Sequence, residues 1–221
     1  MKNWLDKMER RFGRYAIRNL TMYLLAGYAI GYLLSFTMPQ LLTYFTLEPA
    51  LILKGQVWRL LSWVIIPPND NIIFVIFMML LYYSLGNTLE SYWGAFRYNV
   101  YIFSGILFTV IGAFIVNGLI GGITGFGSLY STYYINMSIF LACASIMPDY
   151  QLLLYGIIPI KMKWMAIVYA VLTLYEFIVS GWAGRVAIFM SLLNFIIFFF
   201  STRNFKRYSP HEIHRRQQFK S

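Results

Sequence analysis

The chain has 221 residues, of which 59% are hydrophobic, 19% aromatic and only 12% charged, a balance that places it among integral membrane proteins. Its net charge of +10 does not mark a nucleic-acid binder, because the basic residues gather at the two ends and flank apolar spans, where they set topology. The single cysteine, Cys143, lies inside an apolar segment, cannot form an intramolecular disulfide, and reads as a small hydrophobe.

Residues 1–14 form a basic amphipathic segment. Trp4, Leu5, Met8 and Phe12 recur at helical spacing opposite Lys2, Lys7, Arg10, Arg11 and Arg14. Such a helix suits the surface of an anionic leaflet, or alternatively a partner protein. No cleavable signal peptide is evident. The first apolar run is long, follows this basic stretch, and reads as a retained span.

Residues 15–200 then predict an all-α membrane domain of six spans. Span 1 runs from Tyr15 to Met38 and carries Gly27 and Gly31 as a GxxxG pair, which in a polytopic protein packs internally more often than it forms dimers. Residues 39–70 are too apolar for an ordinary loop and are punctuated by Pro39, Pro49, Gly55, Pro67 and Pro68. They predict short helices lying in the interface. Span 2 covers Asn71 to Gly86, span 3 Tyr98 to Leu119, and span 4 Thr132 to Met147. Gln151 to Ile160 is an apolar re-entry too short to span. Span 5 covers Trp164 to Ser180 and span 6 Val186 to Phe200. Residues 201–221 are a polar, basic tail, in which Arg203, Lys206, Arg207, Arg215 and Arg216 with Phe205, Tyr208 and Phe219 could meet anionic lipid or a cytoplasmic partner.

Span 4 is the unusual one. Sixteen apolar residues cover about 24 Å, less than the roughly 30 Å of bilayer hydrocarbon. It follows a glycine-rich run, Gly121 to Gly127, so the helix is expected to begin below the membrane surface with its leading loop dipping in behind it. Irregular backbone at that depth must line a cavity or be buried in protein. Ser138, Ala142 and Ser145 give the helix a small-residue face suited to close packing.

Lys and Arg set the orientation. With six spans, one side collects the six basic residues before Leu20, Arg97, Lys161, Lys163 and six more in the tail, which makes fifteen. The other side collects Lys54, Arg59 and Arg185, which makes three. The positive-inside rule then puts both termini in the cytoplasm. The compact chain without appended domains suggests a prokaryotic plasma membrane.

Three groups of residues resemble the rhomboid superfamily. Gln56, Trp58 and Arg59 match its Trp-Arg motif in the first extracytoplasmic loop. Leu85-Gly86, Leu89-Glu90, Trp93, Gly94, Arg97 and Tyr98 match its loop between spans 2 and 3. Pro148 to Ile160 matches its cytoplasmic connection between spans 4 and 5. The likeness covers residues 15 to 200 and implies a six-transmembrane-helix rhomboid-like bundle with a short central fourth helix. Trp58 and Arg59 suit an interface, where the guanidinium can brace loop carbonyls or meet a client.

Active rhomboids join a serine at the start of span 4 to a histidine in span 6, with oxyanion donors in span 2. Here the resemblance puts Tyr133 at the serine and Trp182 at the histidine. It puts Phe74 and Met78 at the span 2 donors. Ser128 and Ser131 lie near the serine position and read as loop or N-cap hydroxyls. The only histidines, His211 and His214, are in the tail. Lys54 is the only lysine expected outside, so a Ser-Lys pair is remote. No Cys/His cluster or cofactor motif is present, and Gly121 to Gly127 lacks the flanking strand of a dinucleotide loop. No metal and no cofactor are expected. Glu176 is the one acid within a span, where an ionisable group invites a functional reading. Pairing with Arg185 across the corner between spans 5 and 6 is the structural one.

The resemblance implies a catalytically inactive, derlin-like pseudoprotease that binds membrane lipids and transmembrane client proteins. Two alternatives remain open: a rhomboid serine protease using Ser128 or Ser131, and a small transporter or lipid-handling protein.

Overall fold

The structure is a computed structural model that describes residues 4–67, 71–119, 121–122, 124–125, 127, 130, 132–154 and 158–202. Ser128, Ser131, His211, His214 and the basic tail fall outside the described residues. The chain is mostly helical. Five helices are long and apolar enough to cross a membrane: α2 (Leu20–Thr37), α6 (Ile72–Trp93), α7 (Ala95–Leu119), α9 (Met162–Val179) and α10 (Trp182–Thr202). A shorter apolar helix, α8 (Tyr133–Ile146), joins them, so the fold is the expected all-α multi-pass bundle.

The amphipathic segment forms α1 (Trp4–Phe12). It is docked on α7. Leu5 is fully buried in the core, while Asp6 and Glu9 reach Arg97 at 2.5 and 2.8 Å. The apolar stripe expected for a membrane surface is therefore split, because Met8 and Phe12 are left exposed.

Between α2 and α6 the chain makes the expected short helices, α3 (Pro39–Phe45), α4 (Pro49–Ile52) and α5 (Arg59–Ser62), and a 3₁₀ turn at Trp63–Ile65. Proline at the first position starts both α3 and α4, where its missing N–H costs nothing. The GxxxG pair receives this segment. A Cβ at Gly31 would strike the Ile65 carbonyl oxygen, and one at Gly27 would lie 3.3 Å from the Ile65 side chain. The pair packs internally, as its place in a polytopic chain leads one to expect.

Two connections differ from expectation. The anticipated loop between spans 2 and 3 shrinks to a single residue. Helix α6 runs on to Trp93, and Gly94, at φ +86°, turns the chain straight into α7. Only glycine takes that conformation freely. The apolar re-entry at 151–160 is instead an antiparallel hairpin, with β1 (Gln151–Leu154) paired to β2 (Ile158–Lys161). Pairing satisfies the backbone polar groups of a stretch too short to cross as a helix.

Helix α8 is central and touches α6, α7, α9 and α10. Tyr134 through Phe140 and Ala142 through Ala144 are all buried. Its small-residue face turns into the bundle. The Tyr101 hydroxyl donates to the Ser138 carbonyl at 2.8 Å, and Ala142 and Ser145 border the ring cluster of Trp93, Tyr101 and Phe198. Asn194 of α10 joins the same level, accepting from Ser104 Oγ and donating to the Tyr101 carbonyl. The buried polar residues here are spent on helix–helix packing. Helix α9 is the contrast, since only Met162 and Thr173 are buried along its length.

Candidate functional site

The start of α8 collects the groups of interest. The glycine-rich approach is held by a residue that the sequence reading passed over. Glu48, 7% exposed at the N-terminus of α4, accepts from the backbone N–H groups of Gly125 at 3.0 Å and Gly127 at 2.8 Å. One carboxylate oxygen thus satisfies both backbone amides. Behind it, Thr132 donates to the Ile66 carbonyl at 3.2 Å, which ties the helix start to the loop before α6.

One turn deeper, Tyr28 of α2 donates to Asn136 Oδ1 at 3.4 Å. Asn136 is 3% exposed, and among the described residues neither its amide nitrogen nor the buried Tyr130 hydroxyl has a hydrogen-bond partner. Tyr82 of α6 sits within electrostatic range of Tyr28, Tyr133 and Tyr169. This tyrosine-rich region is where α2, α6 and α9 converge on α8.

The four positions expected to replace catalytic groups do not form a packed plug. Trp182 is 76% exposed, and its ring lies under the Arg185 guanidinium at 5.5 Å. Tyr133 is 37% exposed and meets Tyr134 edge-on at 5.3 Å. Phe74 is exposed and Met78 only partly buried on the first turns of α6. Exposed to this degree, these side chains do not fill the region.

The expected Glu176–Arg185 ion pair does not form. Glu176 accepts from the Tyr134 hydroxyl at 2.9 Å. Arg185 instead donates to the carbonyls of Phe177 and Ile178, at 3.0 and 2.9 Å. The reason is local: the last carbonyls of α9 have no intrahelical partner, and a guanidinium satisfies two of them at once. Among the described residues the ion pairs are those of Arg97 with Asp6 and Glu9, and of Asp149 with Lys161 and Lys163.

The remaining motif residues are braces. Arg59 is 3% exposed. Its guanidinium reaches Gln56 Oε1 at 2.7 Å and the carbonyls of Thr43 and Thr46 at 2.8 and 3.0 Å. Trp58, half exposed, donates from its indole to the Tyr44 carbonyl at 3.2 Å. Together they stitch α5 to the end of α3. Glu90 accepts from the Asn19 backbone N–H at 2.8 Å and so ties α6 to the start of α2, while Arg97 holds α1. Among the described residues no group of three or more His, Cys, Asp or Glu is placed to hold a metal ion.

A family model described as eukaryotic integral membrane protein (DUF1751) matches residues 18–217. No curated protein and no solved structure matches the chain. The match corrects one expectation. A compact chain without appended domains had suggested a prokaryotic plasma membrane, whereas the matching family is eukaryotic. Compactness records a short polytopic fold and carries no information about which cell holds it.

Proposed function

The chain belongs to the eukaryotic integral membrane protein family (DUF1751), and we propose that it is a non-catalytic, rhomboid-like member that binds spanning segments of other membrane proteins, in quality control, trafficking or assembly. The loose attachment of α9 carries this reading. Only 11% of its apolar window is buried, against 22–39% for the other long spans. Across the start of α8 from it, α6 exposes Phe74, Phe77 and Leu80. A client helix lying between them would meet aromatic rings, with polar groups at Tyr82, Tyr133 and the Tyr134–Glu176 pair within reach of the same face. Lipid gives two apolar helices no hydrophobic reason to associate, so packing and a few polar contacts of this kind are what holds them.

The residues support the non-catalytic reading. Tyr133 and Trp182 stand where the resemblance would put nucleophile and base, and both histidines of the chain lie in the tail. A fluorophosphonate probe should therefore leave the purified protein unlabelled. Labelling that disappears in Ser128→Ala or Ser131→Ala would replace this reading with a displaced-serine protease. Photo-crosslinkers at Phe74 and Val171 should capture membrane-spanning proteins through their transmembrane segments. A crosslinker at Leu33, on the outward face of α2, should capture far less. Equal capture from all three positions would remove the assignment to the α6–α9 face.

A further inference from the structure

Tyr169, Thr173 and Glu176 recur along α9 at spacings of four and three residues and so share one face. The first two pack on α8. The Tyr169 ring meets Phe140 at 5.1 Å, and Thr173, 6% exposed, lies with its hydroxyl 3.1 Å from Met137 Sδ. Glu176 ends the row at the start of α8, where the Tyr134 hydroxyl donates to its Oε1 at 2.9 Å. Its other oxygen, Oε2, has no hydrogen-bond partner among the described residues, yet it is not enclosed and keeps accessible surface. Leu172 and Val179, one turn to either side, are 55% and 65% exposed, so the carboxylate is reached from the outward flank of α9. No described cation compensates it. Arg185 directs its guanidinium to the carbonyls of Phe177 and Ile178 and over the Trp182 ring, and the described ion pairs lie at Arg97 and Asp149. Glu176 stands three residues, about 4.5 Å, before Val179, the last residue of α9. An acid within a span is costly until it is paired.

We propose that Glu176 selects the client: the segment held on this face carries a lysine or arginine about one turn inside its end on the Val179 side. This selection rests on the client-binding reading above. The cation brings the donor that Oε2 lacks and the countercharge that α9 lacks. Apolar packing barely distinguishes one leucine-rich helix from another, whereas a charge-assisted hydrogen bond does. A cation in a span is costly in lipid for the same reason as the acid. The partner that fits is therefore a membrane subunit whose own acidic neighbour is absent, which is to say an unassembled one.

A photo-crosslinker at Leu172, on the same side of α9 as Glu176, tests this in the full chain co-expressed with labelled single-pass helices of about twenty leucine and alanine residues. Extra lysines at one end keep that end with Lys161 and Lys163. The helices differ at one position, a turn inside the other end, which holds Lys, Glu or Leu. The wild type should capture the Lys helix about tenfold better than the Leu helix, the size of one charge-assisted hydrogen bond, and the Glu helix least. Glu176→Gln keeps an acceptor for the Tyr134 hydroxyl, so it should fold normally and capture the Lys and Leu helices equally. Glu176→Lys should turn the preference toward the Glu helix. Equal capture of all three helices by the wild type, or a Lys preference that survives Glu176→Gln, would overturn the selection and leave client binding standing. Capture of none of them would overturn both.

Discussion

Glu48 Oε1 accepts the backbone N–H of Gly127 at 2.8 Å, and this bond fixes where the recessed helix α8 can begin. The same oxygen takes Gly125, so a single buried carboxylate holds the approach to α8 from a residue nearly eighty positions away. Glu48→Ala leaves both amides without an acceptor and should destabilise the protein by about 3 kcal/mol. Glu48→Gln keeps one acceptor oxygen and should cost about 1 kcal/mol. Gly127→Ala should resemble Glu48→Ala, because its Cβ would fall 2.8 Å from the carboxylate oxygen. Thermal unfolding in detergent measures all three. Equal stability of Glu48→Ala and the wild type would show that the approach to α8 is held by other contacts.

The docking of α1 rests on Arg97, whose side chain is 5% exposed while Asp6 and Glu9 are 33% and 39% exposed. Screening of the half-open acids limits the pair energies, so Arg97→Gln should cost about 1–2 kcal/mol rather than a full buried ion pair. The effect should be local. Hydrogen exchange in residues 4–12 should accelerate while α7 keeps its protection. Slow exchange in both segments would mean that Leu5 burial alone holds α1.

Gly86 allows a close approach of α6 to Thr21 of α2 and Tyr98 of α7. A Cβ there would strike Thr21 and lie 2.8 Å from the Tyr98 hydroxyl, which itself bonds Thr21 Oγ1 at 2.7 Å. Gly86→Ala should therefore cost about 2–3 kcal/mol despite the better helix propensity of alanine, since overpacking outweighs it. Gly118→Ala, where a Cβ meets nothing, should be neutral or slightly stabilising. Melting temperatures of the two variants that fell in the opposite order would contradict this packing.

Glu176 and Arg185 act on different partners. Glu176→Gln keeps an acceptor for the Tyr134 hydroxyl and should change stability by less than about 1 kcal/mol. Arg185→Gln releases two carbonyls at the end of α9 and should cost about 1–2 kcal/mol. The two effects should add in the double variant, as expected of groups that do not pair. A coupling above about 0.5 kcal/mol would indicate an ion pair after all.

The spans and their order were legible because apolar runs of about twenty residues have few other uses. The short span at 133–146 was equally clear, since length alone shows it cannot cross unaided. The Arg59 brace was foreseeable from the chemistry of a guanidinium near loop carbonyls. Three features were not. Glu48 and the glycine loop are far apart in sequence, and an isolated acid in an apolar loop carries no local signal of what it caps. The docking of α1 depended on Asp6 and Glu9, two acids lost within a segment read for its basic residues. The Glu176–Arg185 pair does not form because the unsatisfied carbonyls ending α9 take the guanidinium, and a sequence displays charges more plainly than helix-end carbonyls. The hairpin at 151–161 was missed for a related reason, as composition gave apolar character but not the need to pair a backbone too short for a span.

The central claim is that the face between α6 and α9 holds a transmembrane segment without cutting it. The most direct measurement places a photo-crosslinker at Tyr133 in liposome-reconstituted protein and adds a labelled single-pass helix of about twenty leucine and alanine residues with lysine ends. The account predicts an adduct containing the intact helix and no shorter labelled fragment. A cleaved helix, or an adduct formed only with lipid, would contradict it.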